Sequence, residues 1–167
     1  MHAKSRNSDK SRGISPDRKI VCRNRKAGHD YFLDEFLEAG VVLLGPEVKS
    51  LREGRASLVD SHARVRKGEV FLHKMHITPY HNASDMQLDP LRTRKLLLNK
   101  REIKRLIGKT EEKGYTLIPT KVYFTGGRAK IELALAKGKR KYDKRRALKE
   151  KEFRKEIDQL KKTGFGQ

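Results

Sequence analysis

No tryptophan occurs in this chain of 167 residues, and its single cysteine, Cys22, excludes a disulfide within the chain. One thiol suits a reducing compartment. No apolar run approaches the roughly 18 residues of a membrane span. The basic start, MHAKSRNSDKSRGISPDR, has no apolar stretch after it, so it is not a secretory signal. A soluble, cytoplasmic protein is expected. With 35% hydrophobic residues the whole chain cannot be packed core, and its length fits one domain with appendages.

Residues for catalysis are scarce too. His62, His73, His76 and His81 form the only concentration of histidine. His73 and His76 stand three apart on a predicted strand, on opposite faces, which is poor geometry for one metal ion. Cys22 has no Cys or His at ligand spacing. Asp60, Glu69, Asp85 and Asp89 fall in predicted turns and loops, where solvation is the default. There is no P-loop and no G-x-S-x-G. An enzyme, a cofactor and a metal site are therefore not expected.

What the sequence does have is positive charge: 41 Lys or Arg against 21 Asp or Glu, a net +20. Residues 1–18 carry +3, residues 19–137 carry +10, and residues 138–167 carry +7. Solubility needs far less than this. A field of this strength attracts polyanions, and neutralising many phosphates releases their counterions. Nucleic acid is favoured over a membrane surface or an acidic protein.

Residues 1–18 are rich in Ser, Arg, Lys and Asp and read as a disordered extension, with order beginning near Lys19. The core is assigned to 19–137. Residues 30–40 predict a helix, capped by Asp30, with Phe32, Leu33, Phe36 and Leu37 on one face and Gly40 at its end. Val41 to Leu44 predicts a strand, bent at Gly45-Pro46 and resumed by Val48 and Leu51. Ala63 to Ile77 predicts a hairpin turning at Arg66-Lys67-Gly68, with Val70, Leu72, Met75 and Ile77 inward. Residues 79–95 predict a loop. A helix from Lys100 to Lys113 has Asn99 as N-cap and Glu102 three residues on. A last hairpin, TLIPTKVYF and RAKIELALA, turns at Thr125-Gly126-Gly127. Five or six short antiparallel strands and two helices suit a mainly β fold, an OB-like closed barrel with attached helices.

Residues 138–167 form a basic tail with helical propensity and four sparse anchors, Leu148, Phe153, Ile157 and Leu160. Alone it is expected to lack fixed structure, and to become helical when a polyanion neutralises it.

The segment LRTRKLLLNKREIKR places seven cations, Arg94, Lys95 and Lys100 among them, around Leu96-Leu97-Leu98. It reads either as a solvated face over three buried leucines or as a phosphate-binding surface leading to a helix N-terminus. His29, Tyr31 and Tyr142 are candidates to stack on exposed bases. Tyr31 serves a core equally well. Tyr142, in the tail, has little core to join.

Four segments in order, NRKAGHDYFLDEFLEAG, GPEVKSLREGRASLVDS, DPLRTRKLLLNKREI and LALAKGKRKYDKR, resemble the small protein B family of bacterial SsrA-binding proteins. The resemblance runs from Asn24 into the tail and leaves out residues 1–18. It implies a non-enzymatic adaptor of ribosome rescue by trans-translation, acting as a monomer. Such an adaptor binds the tRNA-like domain of transfer-messenger RNA and, alongside elongation factor Tu, promotes its delivery to a stalled ribosome.

By the same resemblance, Glu38, Leu97 and Asn99 contact RNA, with His29 a further candidate. The tail enters the empty messenger channel as a helix. Gly138, Lys139, Tyr142, Asp143, Lys144 and Arg145 match the element that reaches the decoding centre. Ile157 and Leu160 anchor the distal helix. Two other classes remain to be separated from this one: a structural ribosomal protein, which would stay on salt-washed ribosomes, and a nuclease, for which no acidic or Cys/His constellation exists.

Overall fold

A computed structural model describes residues 18–81, 88–112 and 114–163. The expected extension lies outside the described residues save for Arg18. Among the described residues there are nine strands and four helices. The long strands are β2 (Tyr31–Val41), β8 (Tyr115–Thr125) and β9 (Arg128–Gly138). Shorter ones are β1 (Lys19–Arg23), β4 (His62–Arg66), β5 (Glu69–His73) and β7 (Arg94–Leu97). A separate two-stranded sheet joins β3 (Ala56–Ser57) to β6 (His76–Ile77). The helices are α1 (Ala27–Asp30), α2 (Gly45–Arg52), α3 (Lys100–Glu111) and α4 (Lys141–Thr163).

Antiparallel pairings run from β8 through β4, β5, β7, β2 and β9 and return to β8, closing a six-membered ring. β1 pairs with the other half of β8. A closed ring leaves few open edges to recruit another chain. The mainly β class with attached helices stands. The core inside the ring is aliphatic, with Val70, Leu72, Leu117, Val122, Ile131 and Leu133 fully buried.

Both hairpins form as the sequence predicts. Lys67 and Gly68, and again Gly126 and Gly127, adopt the left-handed φ that two-residue turns between twisted strands require. Val70, Leu72, Met75 and Ile77 all face the core. α3 starts after Asn99, whose backbone N–H donates to Glu102 at 3.0 Å.

Two predicted elements change type. Residues 31–41 are a strand, paired along β9 from Tyr31–Gly138 to Gly40–Lys130. A spacing of four puts residues on one side of a helix and of a regular strand alike, so Phe32/Phe36 and Leu33/Leu37 imitate a helix. One extra residue between Leu33 and Phe36 makes a bulge and switches faces. Before it, Tyr31 and Leu33 pack outside the ring on Ala27, Ile118 and Ala136. After it, Leu37 and Ala39 enter the core and Phe36 and Glu38 face out.

Gly45–Arg52 is a helix, not a bent strand. Pro46 occupies its first turn, where no N–H is needed, and the Glu47 carboxylate accepts the Leu44 N–H at 2.8 Å. Residues 94–97 of the predicted loop and its continuation are a strand, because Leu96 is wanted inside between Val70 and Val41.

Candidate nucleic-acid interface

β2 leaves its bulge with Phe36 and Glu38 on the outer surface, while β7 and the start of α3 place Leu97 and Asn99 opposite. The two sides enclose an open groove of about 820 Å³, lined by Asp34, Glu35, Phe36, Glu38, Leu97, Asn99, Glu102 and Arg105. Phe36 is 46% and Leu97 53% exposed. Large apolar side chains turned to water beside polar groups make this groove a candidate contact surface.

Glu38 is held by three donors. The Tyr123 hydroxyl and Lys130 Nζ both hydrogen-bond it, and Arg18 reaches its Oε2 at 3.2 Å. Partial burial pushes its carboxyl up, yet Lys130, Tyr123 and Arg18 outweigh this and hold it below the usual carboxylate range. It is ionised at neutral pH and accepts hydrogen bonds only. Burial, followed by the Glu38 bond, pushes the Tyr123 phenol well above its ordinary value, so it remains a donor. Glu35 pairs with Arg105 across the groove.

The groove is thus acidic inside a cationic protein. Cations stand around it: Arg18 and Lys130 at Glu38, and exposed Lys100, Arg101 and Lys104 on α3. Carboxylates accept from base amino groups and ribose hydroxyls, whereas rim cations and a helix N-terminus suit phosphates.

The remaining predicted residues are placed differently. Lys95 shares the outer face of β7 with Leu97 and pairs with Glu69. Arg94 is turned inward and is 1% exposed. Its guanidinium bonds Glu47 and the carbonyls of Met75, Arg92 and Pro90. It braces the interior and offers no surface to a phosphate, because β7 alternates and Arg94 shares the inner face with Leu96.

His29 lies on α1, outside the groove, with Nδ1 3.0 Å from Asp30 Oδ1. It neighbours the tail instead. Lys139 N–H donates to the Asp30 carbonyl at 2.9 Å, Lys139 Nζ to the Gly28 carbonyl at 2.8 Å, and Lys144 Nζ to Asp30 Oδ1 at 2.8 Å. β9 ends at Gly138, and Arg140 N–H donates to Asp143 Oδ2 at 3.2 Å as α4 begins. Tyr142 is 75% exposed. Of the anchors, Phe153 is 66% exposed. Tyr31 packs with Leu33 in the outer cluster.

Sequence reasoning missed Arg18, Tyr123 and Lys130 as the groups that hold Glu38. The outward phase of Lys130 was legible beside Ile131; its partner on a strand 92 positions away was not. Glu47 was missed too, since a buried glutamate carries no sequence signal beyond an arginine pair far down the chain. Among the described residues no group of three His, Cys, Asp or Glu is placed to hold a metal ion. His62 and His73 instead stack across β4 and β5, with centroids 5.4 Å apart. Among the same residues no helix is long and apolar enough to cross a membrane.

Ring, groove and appended cationic helix define a small mainly β binding module. Residues 21–163 match the family model described as SmpB protein. An SsrA-binding protein of Syntrophobacter fumaroxidans is 60% identical over 144 residues, 86% of this chain and 89% of the relative. One from Geobacillus thermodenitrificans is 59% identical over 140 residues, 84% of this chain and 90% of its own length. A solved structure described as "tmRNA-SmpB: a journey to the center of the bacterial ribosome" aligns with a TM-score of 0.63 at 48% identity, covering 76% of this chain and 93% of that one. The chain belongs to the SmpB family.

Proposed function

We propose that this protein is an RNA-binding adaptor, not an enzyme, that takes the tRNA-like domain of transfer-messenger RNA into the groove between β2 and α3. The observation that carries this is convergence: Glu38, Leu97 and Asn99, up to 61 positions apart in sequence, line one groove. Its relatives bear the name SsrA-binding protein, and its structural neighbour is named for a tmRNA–SmpB assembly and the bacterial ribosome. Glu38 and Asn99 read base or sugar groups, Leu97 packs against them, and Lys95 and Lys100 meet phosphates. His29 belongs to a second contact region, roughly 20 Å away along β2.

In this reading the tail serves the ribosome. Gly138 and Lys139 fix its direction, and Tyr142, Asp143, Lys144 and Arg145 reach the decoding centre while α4 occupies the empty messenger channel. The exposed distal helix gains little from the core and orders fully only there. Ile157 and Leu160 anchor it in the channel. The protein acts in the cytoplasm as a monomer, alongside elongation factor Tu, and the peptide left on the stalled ribosome is tagged for degradation.

The test is a stop after Arg140, which spares β9 and the Lys139 contacts. The shortened protein is expected to keep its affinity for transfer-messenger RNA and to lose tagging on stalled ribosomes. Normal tagging would contradict the tail's role. Sequencing the RNA that co-purifies with the full chain separates an adaptor from a structural ribosomal protein, which would bring ribosomal RNA instead.

A further inference from the structure

The outer face of β4, β5 and β7 carries side chains that neither the core nor the groove absorbs. Alternation turns Ala63, Val70, Leu72 and Leu96 inward and leaves Arg64, Arg66, Phe71 and Lys95 outside. The register sets Arg64 opposite Phe71 and Phe71 opposite Lys95. One aromatic residue thus stands in a row between two cations, on strands about 5 Å apart. Phe71 is half-buried and joins neither apolar cluster of the described residues. It lines an open depression of about 410 Å³ with Arg66, Lys67, Glu69, His73 and Thr93. One row along, His62 and His73 stack across the same two strands, and His73 Nδ1 lies 3.2 Å from Thr93 Oγ1, which braces that end of the face.

The face is cationic. Its one acid, Glu69, is taken by Lys95. Among the described residues no acid stands within ion-pair distance of Arg64, Arg66 or Lys67. Like charges gathered on one surface repel, and a polyanion relieves that repulsion. An aromatic residue among such cations suits an unpaired nucleotide, with the ring for the base and the cations for the backbone. Paired RNA keeps its bases stacked inward and offers Phe71 nothing to take. The face also continues the groove. Lys95 and Leu97 share the outer side of β7, two residues and about 7 Å apart, and Leu97 lines the groove. An RNA strand leaving the groove over Leu97 passes directly onto Phe71.

We propose that the outer face of β4, β5 and β7 is a second RNA contact, which stacks an unpaired base of the same transfer-messenger RNA on Phe71 and takes its phosphates on Arg64 and Arg66. This rests on the groove being the RNA site.

The chain contains no tryptophan, so Phe71→Trp places a single indole at the face as a reporter of stacking. The tRNA-like domain of transfer-messenger RNA is titrated into this variant with fluorescence as the readout. Affinities for the same RNA are measured at several salt concentrations for the full chain, Phe71→Leu, the double variant Arg64→Gln with Arg66→Gln, and Asn99→Ala. Melting temperatures confirm that each is folded, and the double variant leaves the half-buried ring in place. Binding is expected to quench the indole. Phe71→Leu should bind about fivefold or more weakly, as loss of one stacked base implies. The double variant should flatten the slope of log affinity against log salt by about one to two. Unchanged emission at saturation, with full-chain affinity in Phe71→Leu and an unchanged slope in the double variant while Asn99→Ala binds weakly, would overturn this contact and leave the groove standing. Quenching by ribosomes but not by this RNA would overturn the choice of occupant. A full chain that does not bind this RNA would overturn the groove reading and the second contact with it.

Discussion

Lys144 Nζ stands 2.8 Å from Asp30 Oδ1, tying the first turn of α4 to the end of α1. Together with the Lys139 contacts this gives the tail a fixed departure from the core, just where the family resemblance sets its decoding element. The pair is partly exposed, so it orients the tail more than it stabilises the fold.

The Lys144 hydrogen bond, and then His29, hold the Asp30 carboxyl below its ordinary range. A depressed carboxylate contributes above its unfolded pKa, near 4, and loses that contribution as pH falls through the lower folded value. Hydrogen exchange in residues 141–146 is therefore expected to show constant protection from about pH 8 to 5, after correction for intrinsic rates, and a loss in acid. Asp30→Asn should lose that protection at neutral pH while the core's melting temperature moves by only about 2 °C. Wild-type protection in the variant would show that the tie does not hold the tail.

Glu47 predicts a larger effect. It is buried and bonded by Arg92 and by Arg94, whose side chain is inaccessible to solvent. Burial pushes the Glu47 carboxyl up, but Arg92, the Leu44 N–H and Arg94 outweigh it and hold it low. Glu47→Gln keeps the shape and leaves a buried guanidinium without its counter-charge, costing about 3 kcal/mol. Thermal unfolding should fall by about 10 °C. Wild-type stability should drop as pH falls through the range below about 4, and the variant's should change less there. A shift under about 2 °C would contradict the buried pair's importance.

Cys22 should be unreactive in the native protein. Burial pushes its thiol up to about 11, against a smaller opposing effect of the Val122 backbone hydrogen bond. Alkylation at pH 8 is expected to run about a hundredfold slower than in denaturant. Equal rates would show that the strand carrying it opens readily.

How much of this was legible in sequence depends on whether a signal is local. The Lys67-Gly68 and Gly126-Gly127 turns, the inward Val70 and Leu72 and the start of α3 after Asn99 all follow from neighbours within a few residues, and all appeared. Residues 30–40 read as a helix because the exposed Phe32 and Phe36 interrupt the apolar/polar alternation that would have betrayed a strand, and only pairing with β9 decides the matter. Arg94 and Lys95 look alike in a cationic segment, yet the pleat sends one inward to Glu47 and the other out to Glu69. Glu38, Leu97 and Asn99 came from a resemblance; their convergence on one groove needed the ring closed.

Gly40 gives a steric handle on that groove. It sits on β2 opposite Leu97, and a Cβ added there would lie 3.3 Å from the Leu97 Cβ. Gly40→Ala is expected to push Leu97 off its position by a few tenths of an ångström. RNA affinity should fall severalfold with little change in melting temperature. Unchanged affinity would remove Leu97 from the contact surface.

In the function proposed above, the groove reads the tRNA-like domain through Glu38 and Asn99. The most direct measurement is the dissociation constant of that RNA for the full chain, for Glu38→Ala and for Asn99→Ala, with melting temperatures taken in parallel. Each variant should bind about tenfold or more weakly, as loss of a specific hydrogen bond to a charged or amide group implies, and each should remain folded. Wild-type affinity in both folded variants would contradict the account.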